Sequence, residues 1–141
     1  FNIEYIYDNS IYVHVEKECG KLKISCGTDI IEIDRIKKSI DRQGNKFIET
    51  IFTKKEIEYC ENHKENKYQH YAARFAVKEA IYKALSGIVE EDKLTWKNFE
   101  IINCEHGKPK IEINDEKIES MDVSISHCRE YAVANVVVLY K

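Results

Sequence analysis

The segment from Tyr71 to Leu85 constrains the fold more than any other part of this sequence. It reads YAARFAVKEAIYKAL, contains neither glycine nor proline, and is rich in strong helix formers. We therefore predict a helix that begins a residue or two before Tyr71. On a helical wheel at about 100° per residue, one side collects the apolar side chains that would pack on a core: Ala73, Val77, Ala80, Ile81 and Ala84.

The opposite side of the same helix carries Glu79 and Lys83, one turn apart. The neighbouring Ala72 and Ala76 are small and would leave room for a ligand to approach. A Glu-Lys pair at this spacing is also a common surface feature that contributes only ~0.3–0.5 kcal/mol. The pair is therefore either a solvated ion pair or part of a binding site.

Strand patterns lie before and after the helical part of the chain. IYVHV and KLKISC, which the segment EKECGK joins, are predicted strands near the start; FEIINC, KPKIEI, DVSIS and YAVANVVVLY follow in the last third. We expect Gly27 to form a tight turn or approach a ligand, with a helical pattern starting at Ile30. The order of elements predicts an α+β domain whose mostly antiparallel sheet packs on the long central helix and on shorter helices.

Two local signals mark helix ends. Thr53 and Glu56 have the spacing of a capping box and predict a short helix that runs to about Asn62. Gly87 is expected to end the long helix in a left-handed conformation.

The composition limits the function classes. A chain of 141 residues with 43% hydrophobic and 33% charged residues is typical of one globular domain, and its net charge of −3 gives no indication of nucleic-acid binding. No apolar run approaches the ~20 residues that span a bilayer, so no membrane association is expected. Five cysteines without a CxxC pair favour a reducing, intracellular compartment.

A basic run stands out against this acidic average. Its cationic residues, with only Asp41 of opposite sign from residue 35 to residue 46, are Arg35, Lys37, Lys38, Arg42 and Lys46. Such a run is expected to attract an acidic partner. A binding module for an acidic protein without catalysis is one interpretation. A nucleic-acid domain is less favoured, because the aromatic residues are scattered.

Three further side chains are candidates for anion or metal chemistry. Asp29 follows CGT at a predicted strand end; with Glu79 it would supply the one or two carboxylates that Mg²⁺ usually takes from a protein, or it would cap the following segment. His127 opens the turn HCRE and could donate to a phosphate oxygen, or have no role. Lys108 in the turn EHGKP could meet an anionic ligand, or be an ordinary turn lysine.

Taken together, five segments resemble the holo-[acyl-carrier-protein] synthase family, the trimeric type of 4′-phosphopantetheinyl transferase. They are GTDIIEIDRI (27–36), FTKKE (52–56), ARFAVKEAIYKAL (73–85), GKP (107–109) and VSISHCREYAVA (123–134). Their order and spacing are similar to the family's over roughly residues 22–140. The sequence departs from the family at Ser25 and Cys26, which precede Gly27 where a Gly-Ile-Gly run is usual, and at Ala73, where glycine is frequent.

The resemblance implies a site for coenzyme A and Mg²⁺. Asp29 and Glu79 would bind Mg²⁺ against the pyrophosphate, and Lys83 would neutralise or protonate a phosphate oxygen as the bond breaks. Arg74, Lys108 and His127 would hold the nucleotide phosphates. Arg74 falls about 140° from Glu79 on the wheel, so it is expected to meet another part of the ligand, from a neighbouring subunit of a homotrimer with active sites at its subunit interfaces.

The resemblance also implies the reaction and the partner. A serine hydroxyl of an apo acyl carrier protein would attack the β-phosphate of coenzyme A and lose its proton to a metal-bound water or to Glu79. Adenosine 3′,5′-bisphosphate would leave, and the product would support fatty acid biosynthesis. Acyl carrier proteins are small and acidic, so Arg35, Lys38, Arg42 and Lys46 would form their docking face.

Residues 1–21 lie outside the usual family chain, and residues 22–141 form the predicted transferase domain. The first segment is interpreted as an added, strand-forming extension or as the remnant of a removed transit peptide. A plastid-type organelle is accordingly favoured slightly over the cytoplasm.

Overall fold

The computed structural model describes residues 2–7, 10–14 and 21–141. Its strands are β1 (Asn2–Tyr7), β2 (Ser10–His14), β3 (Lys23–Glu32), β4 (Glu100–Asn103), β5 (Pro109–Glu112), β6 (Ile118–His127) and β7 (Tyr131–Tyr140). Its α-helices are α1 (Ile33–Gln43), α2 (Asn45–Ile51), α3 (Lys54–Asn62) and α4 (Lys67–Leu85). Short 3₁₀ turns cover Lys64–Asn66 and Glu91–Lys93.

The main sheet has the antiparallel order β3-β7-β6, and α4 packs across one of its faces. Alternate residues of β7 are buried, as expected for a strand with one face on a core. β4 and β5 form a separate hairpin, as do β1 and β2. The predicted α+β architecture with a long central helix is confirmed.

Helix α4 begins at Lys67, earlier than predicted, and is buried on almost every side. Ala72 and Ala76 are completely inaccessible to solvent. The expectation that these small residues leave room for a ligand is therefore wrong. Neighbouring elements cover most of this helix, including the charged side chains of Arg74 and Lys78.

Gly27 lies in the middle of β3, and the prediction of a turn there is wrong. The strand continues to Glu32 because Ile30 and Ile31 pair with β7, and α1 starts only at Ile33. A Cβ atom on Gly27 would lie 1.9 Å from the carbonyl oxygen of Ala80. The glycine thus lets the strand touch the α4 backbone, rather than a ligand.

The predicted capping box is confirmed. Thr53 accepts from the Glu56 N–H, and the Glu56 carboxylate accepts from the Thr53 N–H at 2.8 Å. Glu56 is fully buried, pairs with Lys78 of α4 at 3.0 Å, and accepts from the Ile101 N–H at 2.8 Å. This single side chain therefore ties α3, α4 and β4 together. At the far end of α4, Gly87 has φ +79°, as predicted.

The remaining strand predictions hold with shifted ends. β6 begins at Ile118, before the predicted DVSIS segment, and β7 coincides with YAVANVVVLY. IYVH pairs with β1 as a hairpin, while most of the connecting segment EKECGK lies outside the described residues. The interpretation of residues 1–21 as a separate extension stays a prediction. Within the described ranges, no helix is both long and apolar enough to cross a bilayer.

Candidate active site

Asp29 and Lys83 meet where β3 lies against α4. Asp29 pairs with Ala134 of β7, and the alternation of β3 turns its side chain towards the helix. The Lys83 ammonium donates to Asp29 Oδ1 at 2.9 Å and to the Thr28 carbonyl at 2.9 Å. The alternative of Asp29 as a helix cap is wrong, because Glu32 is the residue that precedes α1.

Glu79 lies one turn before Lys83 and is half-buried. Burial raises the pKa of the Glu79 carboxyl; the Asp29 charge adds to this rise and the Lys83 charge opposes it. In the described part of the chain, no side chain forms a hydrogen bond or ion pair with Glu79. The structure thus brings together Asp29, Glu79 and Lys83, as the sequence predicted, and leaves Glu79 free to bind.

The donor set fits a hard divalent cation. Two carboxylates supply oxygen ligands, and the charge of Asp29 contributes to the raised pKa of Glu79. Across the described residues, no group of three or more His, Cys, Asp or Glu side chains is arranged to hold a metal ion. A structural zinc site needs about four such ligands, whereas Mg²⁺ commonly takes one or two protein carboxylates and completes its shell with water and phosphate oxygens. Asp29 and Glu79 therefore match magnesium chemistry.

A pocket of about 280 Å³ opens on one side of this acidic pair. Asp29 and Glu79 form its polar wall, and Arg35 enters from α1. The apolar wall, which the sequence did not reveal, consists of Ile30, Ile31, Ile36, Phe47 and Phe75. The acidic pair and the first residue of the basic run consequently share one cavity.

A second pocket of about 240 Å³ lies on the other side of Glu79. The segment that follows α4 closes it, and its lining residues are Lys78, Glu79, Tyr82, Leu94, Thr95, Trp96 and Phe99. The Trp96 ring stacks on Phe75 at 5.4 Å between centroids, which links the walls of the two pockets. Sequence reasoning missed this pocket because its members are apolar and distant from one another in the chain.

The predicted docking residues Arg35, Lys38, Arg42 and Lys46 are all exposed, the first three on α1 and the last on α2. The α1 members line a surface groove of about 440 Å³. Glu32 and Asp34 share this groove, and Asp34 pairs with Lys38 at 2.6 Å. The face is therefore less uniformly cationic than the sequence run indicated.

Arg74 lies in a different environment from Glu79. Only 3% of Arg74 is exposed; its guanidinium lies 3.8 Å above the Tyr59 ring and donates to Asn103 Oδ1 at 2.7 Å. Asn103 in turn donates to the Gly107 carbonyl at 3.0 Å. These partners come from α3 and from the β4–β5 hairpin, and no sequence pattern indicated them.

The two other phosphate candidates also lie apart from the acidic pair. His127 ends β6, is exposed, and contacts the Gln69 amide through Nδ1. Lys108 pairs with Asp122 at 2.9 Å on the surface. Among the described side chains, no hydrogen bond or ion pair joins Arg74, Lys108 or His127 to the acidic pair. One chain therefore presents two separate groups of candidate residues.

Comparison with known proteins gives a consistent result. Residues 25–136 match the family model described as the 4′-phosphopantetheinyl transferase superfamily. The chain is 45% identical over 125 residues to a holo-[acyl-carrier-protein] synthase of Ruminiclostridium cellulolyticum, which covers 83% of this chain and 92% of that protein. Both groups of residues lie within the part of the chain that the family model matches.

Solved structures agree with the sequence comparison. A Bacillus anthracis holo-(acyl-carrier-protein) synthase in complex with CoA (3′,5′-ADP) superposes with a TM-score of 0.72 at 35% identity, covering 83% of this chain and 96% of that one. The Helicobacter pylori holo-[acyl-carrier-protein] synthase in complex with coenzyme A gives a TM-score of 0.70 at 35% identity, with coverages of 80% and 98%.

Proposed function

This chain belongs to the 4′-phosphopantetheinyl transferase superfamily and, within it, to the holo-[acyl-carrier-protein] synthases, and we propose that it moves the 4′-phosphopantetheine arm of coenzyme A to a serine of an apo acyl carrier protein. The proposed reaction depends on Mg²⁺, releases adenosine 3′,5′-bisphosphate and supports fatty acid biosynthesis. The observation that carries the proposal is the convergence of Asp29, Glu79 and Lys83 at a site where Glu79 lines two pockets.

Asp29 and Glu79 would hold the magnesium ion. Bound there, the ion would supply neutralisation of the negative charge on the diphosphate of coenzyme A. The half-buried position of Glu79 strengthens such an interaction, because the local dielectric is lower than in bulk water.

Lys83 and Glu79 have complementary tasks in the transfer. The carrier serine forms a new O–P bond to the β-phosphate while the bond to the departing phosphate oxygen breaks. Glu79 would accept the serine proton as the new bond forms. Lys83 uses two of its three N–H groups on Asp29 and Thr28 and keeps one for the oxygen that leaves. Positioning and positive charge are the main requirements of phosphoryl-type transfer.

The carrier protein would dock on α1 and α2. Arg35, Lys38, Arg42 and Lys46 would attract its acidic surface. Arg35 also lines the pocket that contains Asp29 and Glu79, so a carrier bound on this face would have its serine next to the acidic pair. The apolar Phe47 and Phe75 of the same pocket would contact the apolar side chains around that serine.

A homotrimer would bring the two groups of residues together. The sheet face that is turned away from α4 carries large exposed apolar side chains, with Ile24 at 73%, Ile30 at 63% and Val137 at 43% exposure. Such a face is typical of a surface that a protein partner covers. In a trimer, Arg74, Lys108 and His127 of one copy would complete the phosphate site of the next copy.

The test is direct transfer. The protein is incubated with coenzyme A, Mg²⁺ and an apo carrier protein, and the mass of the carrier is then measured by mass spectrometry. We expect the mass gain of the phosphopantetheine arm with the wild type and little gain with Glu79→Ala. If the wild type gives no gain but still binds the carrier in a salt-sensitive way, the alternative of a non-catalytic module for an acidic partner replaces the enzyme.

A further inference from the structure

A cluster of aromatic rings lies where the end of α3 faces the first turns of α4. The ring centroids of His63 and His70 are 3.9 Å apart. Tyr59 completes the cluster, at 4.5 Å from His63 and 5.4 Å from His70. His63 Nδ1 is fixed by a 2.6 Å hydrogen bond with the Tyr59 carbonyl, so this nitrogen is the protonated one and donates.

Arg74 forms the floor of this cluster. Its guanidinium stacks on Tyr59, and its Nη2 is committed to Asn103. Its Nε is buried and finds no hydrogen-bond partner in the portion of the chain that the structure describes. A buried N–H without an acceptor is costly, and an anion that accepts a hydrogen bond from Arg74 Nε would remove that cost.

The titratable side chains that influence His70 are two histidines and an arginine. His63 faces it from the end of α3, Arg74 from its own helix, and His127 from the end of β6, where Gln69 holds the His127 ring. The carboxylate of Glu61 is engaged by the Tyr71 hydroxyl at 2.9 Å and by Lys67 at 3.1 Å. Among the described side chains, His70 therefore has no unpaired carboxylate beside it.

The protonation of His70 follows from this environment. Burial, and after it the charges of His63, Arg74 and His127, lower the pKa of His70 to about 4. The free protein thus keeps His70 neutral at physiological pH. A phosphate in the cluster would reverse the sign of the local field and favour the imidazolium form.

We propose that His63, His70 and His127 form the rim of a phosphate-binding pocket above Arg74, and that His70 takes up a proton from solvent when a phosphate of coenzyme A binds there. The inference rests on the proposed function, because it takes coenzyme A as the ligand. It adds His63 and His70 to the phosphate contacts and makes affinity for coenzyme A dependent on pH. Protonated His70 donates to a phosphate oxygen, and Arg74 Nε gains its missing acceptor.

The sign of the pH dependence is fixed by linkage. The complex binds one more proton than the free protein, so coenzyme A binds more tightly as the pH falls towards 6. One linked proton changes the dissociation constant by at most about tenfold per pH unit. The phosphates of coenzyme A also titrate, so the informative quantity is the difference between wild type and a variant without the His70 proton site.

Isothermal titration calorimetry tests this difference. Coenzyme A is titrated into the wild type, His70→Phe and the control His106→Phe, which alters an exposed histidine of the β4–β5 turn. Two buffers of different ionisation enthalpy give the number of protons taken up. We expect uptake to be lost in His70→Phe and kept in His106→Phe. A parallel titration with dephospho-coenzyme A, which lacks the 3′-phosphate, identifies whether that phosphate or the diphosphate occupies the pocket.

A second measurement needs no variant. Imidazole resonances of the wild type are followed by NMR across pH with and without coenzyme A. The His70 pKa is expected to move upward on binding. Equal proton uptake by wild type and His70→Phe, or an unmoved His70 titration, overturns the inference while carrier modification by the wild type still stands. Absence of carrier modification by the wild type overturns the proposed function instead.

Discussion

The ammonium of Lys83 lies 2.9 Å from Asp29 Oδ1, although 54 positions separate the two residues in the chain. The contact exists because β3 and α4 touch along their length and both side chains emerge at the same place. Lys83 and Glu79 then flank Asp29 with opposite charges. The result is a small acidic site that also contains the positively charged Lys83 ammonium.

Replacing Asp29 by asparagine should remove one anionic ligand and release Lys83. We expect the Asp29→Asn variant to need more Mg²⁺ and to lose on the order of a hundredfold in kcat/KM, a size typical for removal of one electrostatic group in an active site. Initial rates across a range of Mg²⁺ concentrations measure both effects. The control is Asp92→Asn, an exposed carboxylate in the turn Glu91–Lys93, and a similar loss in both variants would contradict the assignment.

Glu79 should destabilise the ligand-free fold at neutral pH. Its folded-state pKa is raised above the ordinary 4.5, so the folded protein binds the proton more tightly than the unfolded chain. The stability that this proton contributes is complete below pH 4.5 and is lost as the pH rises through the folded-state value. Glu79→Gln should therefore melt at a higher temperature than wild type at pH 7, with the difference shrinking towards pH 4.

The measurement is a thermal melt in the presence of a chelator, because a bound cation would offset the repulsion between Glu79 and Asp29. The exposed Glu116→Gln serves as the control and should change the melting temperature little at either pH. A wild type that is as stable as Glu79→Gln at pH 7 would show that Glu79 is not strained in the free protein.

Local signals in the sequence predicted local features, and long-range contacts decided the rest. The capping box of Thr53 and Glu56 depends on four consecutive residues, so the sequence was sufficient. A glycine such as Gly27 is compatible with a tight turn and also with a strand that packs closely on a neighbour. Only the approach of α4 shows which of the two applies here. The helical wheel predicts that Arg74 points away from Glu79, as the structure shows. It could not identify the partners Tyr59 and Asn103, because they come from other elements.

Gly27 offers a sharp test of that close approach. In Gly27→Ala, the new Cβ would collide with the Ala80 carbonyl at 1.9 Å, and backbone cannot move away as a flexible side chain can. We expect a loss of ~3 kcal/mol in unfolding free energy, at the upper end of the cost of overpacking. The molecules that still fold should also be less active. If β3 and α4 move apart, the distance between Asp29 and Glu79 increases.

The matched control is Gly107→Ala, whose Cβ meets nothing within 4 Å but whose φ of +78° is unfavourable for alanine. Its cost should be ~1–2 kcal/mol, and urea denaturation resolves the two variants. Equal losses in both would mean that β3 and α4 are not as close as described.

The docking face predicts a salt-dependent defect. Arg42 is exposed in the last turn of α1, away from the acidic pair. In Arg42→Glu, an attractive charge becomes repulsive towards an acidic carrier, so we expect the KM for the carrier to rise about tenfold at low salt, while the KM for coenzyme A changes little. At 1 M salt, where the screening length is about 3 Å, the defect should largely disappear. Lys110→Glu, an equal charge reversal on the exposed side of β5, is the control; a rise of the same size there would mean that net charge, and not the α1 face, governs recognition of the carrier.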